Sequence, residues 1–435
     1  MRKLSMGNFF RNQVSRRNLV SSLSLLLLIL LAACNPAQSA TPHVSVIGPW
    51  KGGEREAFMT VIDAFTAKTH IPVSYESMQN DMGAILRTRL SSGNPPDIAL
   101  DPRPGEVAEF ARAGNLVDLG TFIPNDDLST AFGQSYIDLG KVDGKQVGIF
   151  FKANSKSTFW YKPKNFAQFG LQPPKTLNEL FAIANQLRVS GRIPFAVGGQ
   201  DGWVLSDYQE NLLARLVDPQ TYYGLYRTHT VPWTDPKVKQ SLVLFTNFFQ
   251  PGDEPDNVPG VLGTSFVDSI GQVYGSNPTA ELLYEGGFVG VIAAEVNPGL
   301  KPGADIDFFP FPQVDPLYSD PVVGGGDTAI LFRDTPEGRA FMQFLITKEA
   351  ADVFAAANSI SPNKQVDPGK FKSPLARKEY QQLINARTFV FDGSDLAPSA
   401  FGDDFLYTEL QKLVQYPVDV DKIAQELEDY AKTVY

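Results

Sequence analysis

Between residues 43 and 113, strand-like runs alternate with amphipathic stretches three times, and this alternation constrains the chain most. Residues 43–47 (HVSVI) read as a strand, and 54–69 as a helix with Phe58, Val61, Ile62 and Phe65 on one face. Residues 71–75, 82–90, 97–100 and 106–113 repeat the pair twice. A β-α-β-α-β-α order calls for a parallel sheet with right-handed crossovers. Ligands of such sheets bind beyond the carboxyl ends of the strands. Asp101-Pro102-Arg103-Pro104-Gly105 breaks the third strand there, leaving a carboxylate and a guanidinium at that end. An ordinary strand-to-helix turn with a local Asp–Arg pair would read the same way.

Beyond residue 116 the pattern loosens. Residues 145–161 (KQVGIFFKANSKSTFWY) are strand-like and carry Lys152, Asn154 and Lys156 in their middle. Helices are expected at 176–189, behind a capping-box-like Thr176-Leu177-Asn178-Glu179, and at 203–217, 236–249, 335–358, 375–386, 405–414 and 420–435. Strands are expected at 193–197 and 305–311. Three strand-like segments stand outside the alternation: 145–161, 288–294 and 322–331. They are the expected crossings between two lobes.

The chain has 435 residues, enough for two cores, and its 20% charged and 43% hydrophobic content is that of a globular protein. Residues 1–33 read as a leader: five basic and no acidic residues, then the run Leu25-Leu26-Leu27-Leu28-Ile29-Leu30-Leu31. It ends in Leu31-Ala32-Ala33-Cys34, which resembles a lipoprotein processing box, so lipid on Cys34 is expected to anchor the protein outside the cytoplasm, on the outer face or the periplasmic side of the cell membrane. Ser15-Arg16-Arg17-Asn18-Leu19 is similar to a twin-arginine export signal. Cys34 is the only cysteine, so no disulfide forms within the chain. Residues 34–42 read as a tether. The leader holds five of the 38 basic residues and none of the 48 acidic ones, so the remainder carries −15. That balance argues against nucleic acid as a partner.

Several segments in this order resemble the extracellular solute-binding proteins of carbohydrate ABC importers, the family that includes maltose-binding protein, and within it the α-glucoside-binding branch. They are GPWKGGERE (48–56), LSSGNPPDIALDPRPGEVAEFARAGNLVDL (90–119), VGIFFKANSKSTFWYKPKNF (147–166), GGGDTAILFRDTPEGRAFMQFLITKEAADVF (324–354) and NSISPNK (358–364). The resemblance implies an α/β periplasmic-binding-protein fold: two α/β lobes joined by crossover hinge strands, with the ligand in the cleft between them. The expected division is 43–150 with 295–322 as one lobe and 151–290 with 328–435 as the other, hinged near 147–156, 288–294 and 322–331. It also implies a monomeric receptor that closes on an oligosaccharide or α-glucoside and hands it to a membrane permease, with no cofactor and no chemistry of its own.

A sugar site needs planar polar groups that make paired hydrogen bonds and aromatic rings that stack on the apolar sugar faces. The candidates are Trp50, Lys51 and Glu54 after the first strand, and Asp101 and Arg103 after the third. Lys152, Asn154 and Lys156 lie on the first crossing, Trp203 and Asp207 open a helix, and Gly325, Gly326 and Asp327 lie on the last crossing. Each has a plainer reading. Trp50 and Trp203 are also natural core residues, Glu54 also suits a helix N-terminus, and the lysines also suit solvent. The loop Gly48-Pro49-Trp50 departs from the more polar run of maltose-binding protein, which weakens any transfer of maltose specificity.

Other readings are narrower. Distant carboxylates leave a glycoside hydrolase open. His43, His70 and His229 lack metal-ligand spacing, and no nucleophile elbow, P-loop or dinucleotide fingerprint occurs. An acidic cleft also suits a polyamine, although the tryptophans favour a sugar. A receptor that only presents its ligand to a sensor kinase would read alike.

Overall fold

The computed structural model describes residues 43–78, 82–318 and 320–435. The leader, the Cys34 box and the tether lie outside them. From Val44 onward the chain forms one compact unit with two main hydrophobic cores and three smaller clusters.

The strands among the described residues are β1 (Val44–Gly48), β2 (Val73–Ser77), β3 (Ile98–Asp101), β4 (Lys141–Val142), β5 (Lys145–Gln146), β6 (Gly148–Ser155), β7 (Thr158–Tyr161), β8 (Ile193–Ala196), β9 (Ala280–Glu285), β10 (Asp307–Pro310), β11 (Pro321–Leu331) and β12 (Thr388–Phe391). The first sheet runs β12-β11-β3-β1-β2, with β6 also paired to β11. Its β1, β2 and β3 are parallel, as the alternation requires. Helix Gly52–Thr69 buries Phe58, Val61, Ile62 and Phe65, the face read from the sequence. The Phe65 and Phe341 rings meet edge to face at 4.8 Å, tying this helix to the first core. The second sheet runs β10-β7-β9-β8 under a core that holds Phe159, Trp160, Tyr208, Phe248 and Tyr284.

Two strands carry the chain across. β6 pairs in the first sheet and β7, two residues later, in the second, so the chain crosses at Lys156 and Ser157. β11 pairs with β12 through residues 321–324, with β6 through 324–330 and with β3 through 328–331. Every residue of β6 and of β11 is buried. Their pairing slips between Asp327 and Thr328, which face Lys152 and Phe150 respectively, so Phe151 is an extra residue on β6.

Some expectations fail. Residues 288–294 are not a crossing strand. They open helix Val289–Val296, whose buried Val289 and Ala293 stand one turn apart. A short apolar run reads the same in a buried helix and a buried strand. The strand there is β9, just before Gly286-Gly287. Residues 295–322 do not all join the first lobe, because β10 pairs with β7 and buries Phe308 and Phe309 in the second core. Nor do residues 328–435 all join the second. Helices Pro336–Leu345 and Lys348–Ala356 pack Phe341, Met342, Ala350 and Phe354 into the first core. One helix was expected over 335–358. It breaks where the Thr347 side chain caps the second helix by accepting the Ala350 N–H at 3.2 Å. Sequence periodicity also misses helices Asn125–Ala131, Gln134–Leu139 and Phe266–Tyr274, and strand β12.

The lobes touch on both sides of the cleft. Helix Gly52–Thr69 meets helix Val289–Val296, and helix Pro104–Arg112 meets the turn Gly393–Leu396 of the second lobe.

Candidate functional site

Three cations sit where the lobes meet, each held by carboxylates. The first is Lys152, carried inward by β6 at the slipped pair. It donates to Glu54 Oε1 at 2.5 Å, and its Nζ lies 3.5 Å from Asp327 Oδ2. Glu54 comes from the first turn of helix Gly52–Thr69 and Asp327 from β11. The ammonium also stands 5.2 Å from the Trp50 ring centroid. Burial alone would lower the amine's pKa, but Glu54 and Asp327 more than offset it, so the shift is upward and Lys152 stays charged.

The second is Lys156, at the crossing itself. It pairs with Asp207 at 3.2 Å and with Asp392, and lies 3.9 Å from Asp395. Asp207 comes from helix Trp203–Ala214, while Asp392 caps the turn that holds Asp395. The Trp203 ring lies 5.5 Å from the ammonium and contacts Phe266 edge to face at 4.9 Å. Burial pushes Asp207 and Asp395 well above the usual carboxylate range. Burial acts on Asp392 too, but Lys156 outweighs it, and the net shift there is downward.

The third is Arg103, just past β3. Its Nε lies 3.0 Å from Asp403 Oδ1 and 4.0 Å from Asp395 Oδ1, both in the second lobe. Asp101, fully buried, accepts the Arg103 N–H at 2.8 Å through Oδ1, while Oδ2 has no partner. Burial pushes Asp403 up to about 7, more than Arg103 draws it down. Asp395 is therefore shared: one oxygen faces an arginine of the first lobe and the other faces the crossover lysine.

Next to the Lys152 group, a cavity of about 370 Å³ lies between the lobes, lined by Gly53, Val291, Glu295, Leu375 and Glu379 among others. Glu379 accepts the Ser155 N–H at 2.9 Å, and burial raises it to about 7. Asp207, Glu210 and Asp392 place oxygens within 4.8 Å of one another, as a cation site requires. Two observations leave a metal ion little to do there. Lys156 already supplies the charge, and Glu210 accepts the Gly393 and Ser394 N–H groups at 2.7 and 2.9 Å.

Most of the residues singled out from the sequence converge here: Glu54, Asp101, Arg103, Lys152, Asn154, Lys156, Trp203, Asp207 and Asp327. Gly325 and Gly326 pair with Asn154 and Ala153. A Cβ on Gly325 would lie 2.7 Å from Asn154 Oδ1, a buried acceptor with no partner, so the glycine makes room for that amide. Trp50 is placed differently. It is 2% exposed and packs against Phe58 at 5.0 Å in the first core, leaving only its Lys152 side toward the site. Lys51 is exposed and joins none of the three groups. Sequence reasoning missed Asp392, Asp395, Asp403 and Glu379. The stretch 391–405 (FDGSDLAPSAFGDDF), with four aspartates and the short strand β12 before it, was the available signal.

Among the described residues, no helix is long and apolar enough to cross a membrane. Residues 51–352 match the family described as bacterial extracellular solute-binding protein. The osmoprotective compounds-binding protein GgtB of Synechocystis sp. is 31% identical over 395 residues, covering 88% of this chain and 92% of that one. The alpha-glucosides-binding periplasmic protein AglE of Rhizobium meliloti is 32% identical over 386 residues, covering 85% and 83%. The solved structure of the bacterial solute receptor AcbH superposes with a TM-score of 0.79 at 19% identity, covering 91% of this chain and all of that one. The two-lobed architecture, the family match across residues 51–352 and relatives above 30% identity over most of their length agree: this chain belongs to the bacterial extracellular solute-binding proteins, a family of receptors and not of enzymes.

Proposed function

We propose that this protein is the receptor of an ABC sugar importer, that it takes a neutral α-linked glycoside between its lobes, and that it presents the closed complex to the membrane permease. The observation that carries the reading is the sharing of Asp395 between Arg103 of one lobe and Lys156 of the crossing. A ligand hydroxyl inserted there reaches charged groups of both lobes at once. Binding then favours the closed arrangement by its extra contacts, and exclusion of water strengthens each hydrogen bond. The carboxylates of Glu54, Asp207, Asp327, Asp395 and Asp403 and the amide of Asn154 accept from hydroxyls, and the exposed part of Trp203 offers a face for a sugar ring. The name of AglE supports an α-glucoside as the ligand, and that of GgtB an osmoprotective compound.

The hinge is proposed at the crossings near 147–156 and 322–331. The Leu31-Ala32-Ala33-Cys34 box supports lipid on Cys34 as the anchor at the membrane, with the receptor acting as a monomer. The test is a thermal-shift screen against α- and β-linked glucosides, polyamines and sugar phosphates. A ligand that binds only the folded protein raises the midpoint. Shifts with α-glucosides alone support the reading, while a shift with polyamines alone replaces the substrate class.

A further inference from the structure

The two rims where the lobes meet share a feature that the ligand groups do not explain. Each rim sets the first turn of a first-lobe helix against the second lobe, and each of those turns carries a glycine. On one rim, helix Gly52–Thr69 has Lys51 at its N-cap with no side-chain cap of its own. Its Gly53 N–H instead donates to Glu295 Oε1 at 2.5 Å, from helix Val289–Val296 of the other lobe. A Cβ on Gly53 would lie 2.7 Å from Val291 Cγ1. On the other rim, Gly105 stands in the first turn of helix Pro104–Arg112. A Cβ there would overlap the backbone carbonyl oxygen of Ala397 in the second lobe. Beside it, Glu109 Oε1 accepts the Ser399 N–H at 3.0 Å.

Neither glycine is required by its own backbone, since both have ordinary negative φ. Within a helix, glycine is less favourable than alanine. What each position needs is the absence of a side chain, and only while the other lobe is against it. We propose that Gly53 and Gly105 are the seats of lobe closure: Glu295 caps the first helix from across the cleft, the Ala397 carbonyl docks on the second, and together they hold the closed arrangement independently of the ligand's own contacts. Glu295 is thus a positioning residue for the ligand site. This rests on the receptor reading only in assuming that the lobes open and close.

The test compares Gly53→Ala, Gly105→Ala and Glu295→Ala with the parent. Spin labels are placed on Ser91→Cys in the first lobe and Val189→Cys in the second, with Cys34→Ser removing the native thiol. Pulsed dipolar spectroscopy on the full chain without added sugar then gives the lobe–lobe distance distribution. The ratio of the short- to the long-distance population is expected to fall about fivefold in Glu295→Ala, the loss of one helix cap. It should fall about tenfold or more in Gly105→Ala, where the obstacle is backbone. Thermal midpoints of the two glycine variants should hold or rise, because alanine favours the helix. A folding defect would move both readouts downward together. Unchanged distributions, or a parent with no short-distance population, would overturn the proposal. No sugar enters the measurement, so a failure here is separate from a failure of the sugar reading.

Discussion

Lys156 is the residue on which the site's electrostatics turn, and Lys156→Met tests how. Asp392 is the carboxyl that Lys156 holds ionised, and at an effective dielectric constant of about 20 a contact ion pair at roughly 3–4 Å attracts by about 4–5 kcal/mol. Taking the ammonium out of water costs several kcal/mol against this. The variant keeps the packing of the stem but leaves Asp207, Asp392 and Asp395 buried without their cation. Removing one member of such a group costs about 3–5 kcal/mol. The loss must also depend on pH. Lys156 holds Asp392 below the usual carboxylate range, so its contribution is present above the unfolded pKa of about 4 and is lost as pH falls below it. In the variant the same carboxyl is raised, so the folded state loses stability as pH rises. Urea unfolding should therefore show a destabilisation of about 3–5 kcal/mol near pH 8 that shrinks toward pH 4. Adding Asp392→Asn to Lys156→Met should recover part of the loss. A loss below about 1 kcal/mol near pH 8, or one equal at both pH values, would refute the reasoning.

The wild-type protein should itself be more stable near pH 5 than near pH 8, because Glu379 and Asp403 titrate at about 7 when folded and near 4 when unfolded, and the stability they contribute is lost as pH rises through 7. Glu379→Gln should flatten that slope in thermal melts taken across the range, and an unchanged slope would remove Glu379 as a cause. Trp50→Ala should cost about 3–5 kcal/mol in urea unfolding, as befits a ring 2% exposed in the first core, and a near-neutral result would contradict its placement there. Arg103→Leu should weaken sugar binding at least tenfold in calorimetry while leaving the melting midpoint within a few degrees, since the arginine is one-third exposed and bridges between lobes. Equal affinity would place Arg103 outside the site.

The first lobe was the more legible half of the chain. Its strands and helices alternate, and the four residues read on one helix face are the four that enter the core. Glu54 and Arg103 were legible as residues at the mouth of the first sheet because they follow strand ends, and the structure pairs them with Lys152 and Asp403. Other features were hidden for physical reasons. An apolar run such as 288–294 satisfies a buried helix and a buried strand equally. Asp392, Asp395 and Asp403 reach Lys156 and Arg103 only through the fold, from more than 230 residues away. Trp50 had two readings from the start. Its partners Phe58, Tyr75 and Phe354 decide for the core, and nothing local in the sequence pairs it with Phe354.

The central claim is that a neutral glycoside binds between the lobes against Arg103, Lys156 and their shared aspartate. Titration calorimetry of the wild-type protein and of Asp395→Asn with a series of α-linked di- and trisaccharides tests it most directly. The account predicts saturable binding of at least one α-glucoside and a loss of roughly tenfold in the variant, in which an oxygen facing Arg103 or Lys156 becomes an amide donor. Binding of that sugar with undiminished affinity in Asp395→Asn, or no α-glucoside binding while a cationic solute binds, would contradict it.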